Sequence, residues 1–390
     1  MAITNYYVRA TNGADVAGQG TTHMTAYQTP QFALDDIGAT HGRNAVDGDQ
    51  INICDEAACV LAAELSYVAY GVPTALAPLI LRGYTAAAND GGRGVLNGNG
   101  GAFSLTPVTD HCGYIDLRGT NVNKSGPVLA SGYSCLVQRC EVDTNANASG
   151  VGIGSKAGSL VAGCYIHDVV RGIQTGYGGS RFIGNRIHIA APAGICFLNN
   201  NTVDDVLLGN IMTVSQANSY GYKANGANGS RGYFAHNIVY NSAAGTTAGI
   251  LLNDNAGGYG TNVLNNIVCG WSGVGGVGIR QDGGGLTAGH NAFYNNTTDE
   301  QYAAGPLLDL GNDVALGADP FVDAANGDFS LTTAAKAALR GVGWPASYLG
   351  AHANTDGHIT IGPVQYGEAE AGGGGGPVIG SRIIRGWGAV

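Results

Sequence analysis

The chain has 390 residues, 66 of them glycine and only 12% charged, with a formal net charge of −10. That charge is about half the ~25% usual in soluble domains, and without a basic cluster it excludes nucleic acid as a partner. Glycine at this level without a Gly-X-Y period would suit disorder, but 44% apolar residues in a regular beat point to a folded solenoid instead.

Met1 to Gly20 contains no apolar core of the signal-peptide type, and no segment is long enough to span a bilayer. The expectation is synthesis in a host cytoplasm without export or membrane insertion. Tyr6-Tyr7-Val8-Arg9 reads as a short strand, followed by a Gly-rich loop. Thr29-Pro30 then sets an N-cap with proline at the first helical position, opening a short helix over Gln31 to Ile37. Residues 1–45 are read as a cap over the unpaired end of a solenoid that runs from 46 to 366. Asp47-Gly48-Asp49-Gln50-Ile51-Asn52-Ile53 gives a turn and the first coil strand, and Pro78 to Gly83 the next.

From residue 136 onward the chain repeats. Each repeat has a short apolar strand, a small or turn-forming residue, then a polar slot filled by Cys140, Cys164, Asn185, Asn210, Asn237, Asn266 and Asn291. The asparagines fall 25, 27, 29 and 25 residues apart, a period that marks a solenoid whose repeats bury their apolar faces against one another. A second beat, Gly-Ile or a variant, follows at Gly152, Gly172, Gly194, Gly221, Gly249 and Gly278. Short strands with glycine at the corners and no helical period describe a parallel β-helix. An inward asparagine stacked at one corner satisfies its amide against the copies above and below, so the slot is read as a structural ladder.

The order Tyr-Tyr-Val, cap helix, Gly-Asp-Gln-Ile, Ala-Pro-Leu-Ile-Leu-Arg-Gly resembles the opening of right-handed parallel β-helix repeat proteins of the pectate-lyase-like superfold. Asp319 to Asp323 and Gly327 to Leu331 resemble their closing coil, and Ile359 to Gln365 their final strand. The resemblance implies an all-β, right-handed parallel β-helix. It leaves function open among lyases, hydrolases, phage tailspikes and inert virion proteins. After Tyr366, the run of glycines within 367–376 reads as a linker. Beyond it lies a C-terminal docking tail bearing Arg382, Arg385 and Trp387.

Polysaccharide lyases of this resemblance pair a Lys or Arg base with carboxylates, and hydrolases pair aspartates. Lys223 and Arg280 share a register after the Gly-Ile beat, with Asp254 and Asp282 close by, so these four are the candidate catalytic set. Asp143, His167 and His188, each three residues after a slot, are the weaker metal candidates beside Glu141 and Arg186. The eight cysteines have no metal-type spacing and are read as buried thiols, Cys54 and Cys59 being the one pair worth checking for a disulfide. Outward positions turn apolar in later coils, at Ile211, Ile238 and Ile267 beside Tyr240 and Tyr294. Such a stripe is expected to be buried against another chain, or else beneath the loops after Asn210 and Asn237.

The sequence is therefore read as a structural virion-surface protein of a bacteriophage, a capsid decoration or spike protein. Its expected partners are other virion proteins, either a second copy of itself or a shell protein, together with a surface polysaccharide. The alternative is a polysaccharide lyase or glycoside hydrolase acting on an acidic polysaccharide. No cofactor is called for.

Overall fold

The structure, a computed structural model, describes residues 4–343 apart from 41–47, 68–72, 107–108, 122–125, 145–149, 201–202, 226–230, 254–259 and 304. The chain is an all-β parallel solenoid. It groups into two compact units, Met1–Ser180 and Arg181–Val390.

In the first unit the chain winds through three parallel sheets, its early turns through the first two and its turns from Pro127–Ala130 onward through all three. The first holds Thr4–Val8, Asp49–Cys54, Leu79–Tyr84, Cys112–Ile115, Leu136–Gln138 and Leu160–Ala162. The second holds Cys59–Val60, Gly94–Asn97, Leu117–Thr120, Glu141–Asp143 and Tyr165–His167. The third holds Pro127–Ala130, Val151–Ser155 and Arg171–Thr175. Alternation along each strand sends one residue in two to the core, as with Leu96, Val142, Ile153 and Ile166. The helix α1, Pro30–Thr40, begins where the Thr29 Oγ1 accepts the Phe32 N–H at 3.2 Å. Asp15 Oδ1 in turn accepts the N–H groups of Gln28 and Thr29 at 2.8 and 3.0 Å, which fixes the chain just before the helix. Ala33, Leu34 and Ile37 are the buried side of α1.

The second unit repeats the three-sheet turn, and its register is regular. Its second sheet pairs Arg186, Ile211, Ile238, Ile267, Ala292 and Val314 across successive coils. The slot asparagines form a continuous ladder. The backbone N–H and the side-chain amide of each donate to the Oδ1 of the next: Asn185 to Asn210 at 3.0 and 2.9 Å, Asn210 to Asn237 at 2.9 and 2.9 Å. Asn237 continues to Asn266 at 2.9 and 3.1 Å, and Asn266 to Asn291 at 3.1 and 3.1 Å. At the end of the row the Asn291 N–H donates to Asp313 Oδ1 at 2.6 Å. The residue before each slot turns the corner in the left-handed region, with φ of 62° at Gly184, 66° at Gly209, 56° at His236, 59° at Asn265 and 55° at His290. Glycine, asparagine and histidine are the residues that tolerate this region best, which is why the motif reads Gly-Asn, His-Asn or Asn-Asn. In the first unit Cys140 and Cys164 occupy the slot, their thiols 3.3 Å from the Tyr114 carbonyl and 3.7 Å from the Val137 carbonyl.

The outward stripe corrects the sequence reading. Ile238 and Ile267 are 1% and 0% exposed, and they are covered by the same chain, not by a partner or by the loops after Asn210 and Asn237. Phe321–Asp323 and Asp328–Leu331 leave the parallel path as an antiparallel hairpin, and the helix α2, Thr333–Leu339, follows. Phe321, Phe329, Leu331, Ala335 and Leu339 pack on Ile238, Ile267, Cys269 and Ala292, with Ile211, Tyr240 and Tyr294 at the margin. Tyr240, Phe321 and Phe329 meet edge to face, their ring centroids 5.1 to 5.9 Å apart. His290 Nδ1 lies 2.6 Å from the Val342 carbonyl and ties the far end down. This clasp, residues 319–343, is the segment that resembled a closing coil. It lies across the sheet and does not extend it.

All eight cysteines are free and buried, Cys54 and Cys59 included. Burial, and then the neighbouring Cys54, pushes the Cys59 thiol up to about 12, so it is an unreactive packing residue. Arg382, Arg385, Trp387 and the strand expected over Ile359 to Gln365 lie outside the described residues, as does the glycine linker.

Candidate functional site

The second sheet of the first unit carries two outward rows of polar side chains. Register places Arg118, Glu141 and Tyr165 in one row, which the apolar Val95 begins, and Asn97, Thr120, Asp143 and His167 in the other. Strand alternation makes them outward: the residues between them, such as Val142 and Ile166, fill the core.

Glu141 is the hub. Its Oε2 is bonded to Arg93, its Oε1 lies 3.4 Å from Arg118 Nε, and His167 Nε2 stands 3.6 Å from the same oxygen. Asp143 Oδ2 accepts the Thr120 hydroxyl at 2.9 Å and has Arg118 Nη2 at 4.0 Å. His167 is positioned by Asp168 Oδ2, 2.8 Å from Nδ1, and by Tyr165, whose ring stacks on it at 4.5 Å. Its Nε2 is buried and has no hydrogen-bond partner. At the adjoining corner Arg139 grips Asp116 with two bonds of 2.6 Å, while Arg82 lies 3.5 Å from the same carboxylate. The Asp116 hydrogen bonds hold the Arg139 guanidinium charged, above its ordinary range.

The charges are layered. Side-chain exposure is 49% for Arg93, 48% for Arg118 and 41% for Arg139, against 18% for Glu141, 9% for Asp143 and 9% for Asp116. Guanidinium groups and the Tyr165 ring form the outer layer; the carboxylates lie beneath them. Such a face offers donors to an anion and keeps its acids bonded to its own arginines.

Of the sequence candidates for a metal, Asp143 and His167 are neighbours in register in this unit, and His188 lies in the second unit, its Nδ1 2.9 Å from Thr213 Oγ1. No group of three or more His, Cys, Asp or Glu is arranged to hold a metal among the described residues. Of the catalytic set, Arg280 donates to Asp282 at 2.7 Å, which keeps the guanidinium charged. Lys223 is two strands away in the same sheet with Leu251 between, and its ammonium lies 5.0 Å from the Tyr220 ring centre. Asp254 is outside the described residues. The structure thus brings Arg280 and Asp282 together and sets Lys223 against a tyrosine. Arg93 and Arg118 were missed from sequence because their two coils carry neither asparagine nor cysteine in the slot. The available signal was the 23-residue offset of Arg118 from Glu141, which matches the spacing of Asp116 from Arg139.

No family model matches this chain, and no curated protein matches it. Among solved structures it is similar to pectate lyase Pel9A, at 13% identity and a TM-score of 0.57, over 94% of this chain and 97% of that one. A second match is the catalytic unit of the GH87 alpha-1,3-glucanase from Streptomyces thermodiastaticus strain HF3-3, at 10% identity and a TM-score of 0.40, over 80% of this chain and 69% of that one. A third is PfbA, a surface adhesin of Streptococcus pneumoniae, at 8% identity and a TM-score of 0.35, over 71% and 88% of the two chains. The likeness to Pel9A is one of fold, a parallel β-helix.

Proposed function

We propose that this chain is a structural surface protein that contacts acidic glycans, and that its setting is the surface of a bacteriophage particle. The observation that carries the glycan part is the layering of the first unit's face, with arginines and a tyrosine ring outermost and carboxylates underneath. Arginine forks match sugar carboxylates in two-point geometry, and an aromatic ring takes the apolar face of a sugar. The same layering disfavours turnover. Glu141 already engages Arg93 and Arg118, and His167 Nε2, the imidazole nitrogen that faces it, is buried away from a substrate. The virion setting draws on the sequence reading and on the range of proteins that share this superfold.

Calorimetric titration with polygalacturonate, with dextran as the neutral control, tests the proposal. Binding should weaken as salt rises, since exposed charges are screened over about 10 Å at 0.1 M. Replacing Arg93 and Arg118 together by serine should weaken it at least about tenfold, or ~1.4 kcal/mol. Equal binding of dextran refutes the acidic-glycan reading. Release of new reducing ends or unsaturated uronates, lost in Glu141→Gln, establishes the enzymatic alternative in its place. Mass spectrometry of purified particles decides the virion setting.

A further inference from the structure

On the third sheet of the first unit, away from the arginine rows, lies a cleft of about 220 Å³. Its floor is a row of outward positions that carry little or nothing: Ala130 pairs with Gly154, and Gly154 with Gln174. Pro127, which also lines the cleft, stands over Gly154, where a Cβ would come within 2.5 Å of its Cγ, and the Gln174 amide lies at one end of the row. Lys156 and Tyr177 form the wall. Tyr177 is 51% exposed and lies against Tyr133, which is 39% exposed, with ring centres 5.6 Å apart at 52°. The Lys156 ammonium sits 5.3 Å from the Tyr133 ring centre, within range of a cation–π contact that holds it beside the cleft. Two tyrosines kept at the surface, braced by each other and by a lysine, are an unusual use of large rings unless a ligand covers them.

We propose that this cleft is a subsite for one acidic pyranose residue. Drug-sized pockets run to roughly 300–1,000 Å³, so this one takes a single ring. The C–H face of the sugar lies on Tyr177. The Gln174 amide meets ring hydroxyls, and the Lys156 ammonium meets the carboxylate, the one cationic group on the wall. The inference rests on the reading of the protein as a contact for acidic glycans, but it uses another sheet and other residues. A polymer engaging the arginine face and this cleft at once would gain through the linkage of two weak sites.

Gly176 makes the idea testable, because it lines the cleft and nothing lies within 4 Å of where its Cβ would stand. Gly176→Leu therefore has room for its Cβ and sets an apolar side chain at the cleft. The probe is D-galacturonate, with D-galactose as the uncharged control, read by chemical-shift changes of the Tyr133 and Tyr177 ring signals. The wild-type protein should show saturable shifts with galacturonate. Gly176→Leu should abolish them, and Lys156→Met should weaken galacturonate at least about fivefold, towards galactose. The Arg93/Arg118 double variant should retain them in full, so a failure of the arginine face and a failure of the cleft are told apart. Absent tyrosine shifts in the wild-type protein overturn the subsite. So do unchanged shifts in Gly176→Leu, or unchanged galacturonate affinity in Lys156→Met with native circular dichroism.

Discussion

Phe329→Ala tests the claim that the clasp, and not a partner chain, covers the isoleucine stripe. Phe329 is 7% exposed, 5.1 Å from the Phe321 ring and 5.6 Å from Tyr240. Truncating a buried phenylalanine costs about 3–5 kcal/mol from lost transfer and the cavity left behind. The lower end applies here, because the clasp is a surface layer that can settle into the gap. A loss of ~3 kcal/mol raises the open population of the clasp by about two orders of magnitude, at tenfold per 1.4 kcal/mol. The parallel coils beneath keep their own pairing, so the loss is local and the solenoid survives. Hydrogen exchange should rise in the hairpin strands Phe321–Asp323 and Asp328–Leu331, while Ile238–Asn241, whose backbone is paired in the parallel ladder, keeps its protection. The strand Gly260–Leu264, in the first sheet, should keep its protection. The exposed stripe should also make the variant self-associate in sedimentation. Wild-type exchange in the hairpin strands of Phe329→Ala, with no self-association, would refute the reasoning, since it would mean that Phe329 does not hold the cover over the stripe.

Asn237→Ala removes the acceptor of the Asn210 backbone N–H and side-chain amide and leaves both buried without it, so a loss of about 2–3 kcal/mol in denaturant unfolding is expected; an unchanged midpoint would contradict the ladder's energetic role. Burial, then the nearby Asp313, raises the Glu300 carboxyl from its ordinary 4.5 to about 7. A raised folded-state value makes this group's contribution full below about pH 4.5 and lost as pH rises through 7. The melting temperature of Glu300→Gln minus that of the wild-type protein should therefore grow between those pH values; a flat difference rejects the assignment. Asp282→Asn removes only the partner of Arg280, so polygalacturonate affinity should stay within about twofold, as for a surface pair worth under ~1 kcal/mol. A larger loss would move the binding site into the second unit.

The repeat was legible because its causes are local. A residue before each slot must enter the left-handed region, and Gly184, Gly209, His236, Asn265 and His290 belong to the types that do so. The slot must satisfy a buried amide, and asparagine does so with copies of itself. The second residue after the slot must point inward, and alternation alone makes Ile187, Met212, Val239 and Val268 apolar. These constraints are met within one coil and its neighbours, so the sequence alone determined the parallel solenoid, the corner and the ladder. What lies on the outside depends on contacts between distant segments. The Ile238 stripe looked like an interface because its cover begins some eighty residues later, in a hairpin whose apolar residues read equally well as another coil. Arg93 and Glu141 meet 48 residues apart, from coils with another coil between them. That meeting requires the register of three successive strands, two of which carry neither asparagine nor cysteine in the slot. Alternation dictates which side chains leave the core; only tertiary packing decided which of them meet one another and which stay in water.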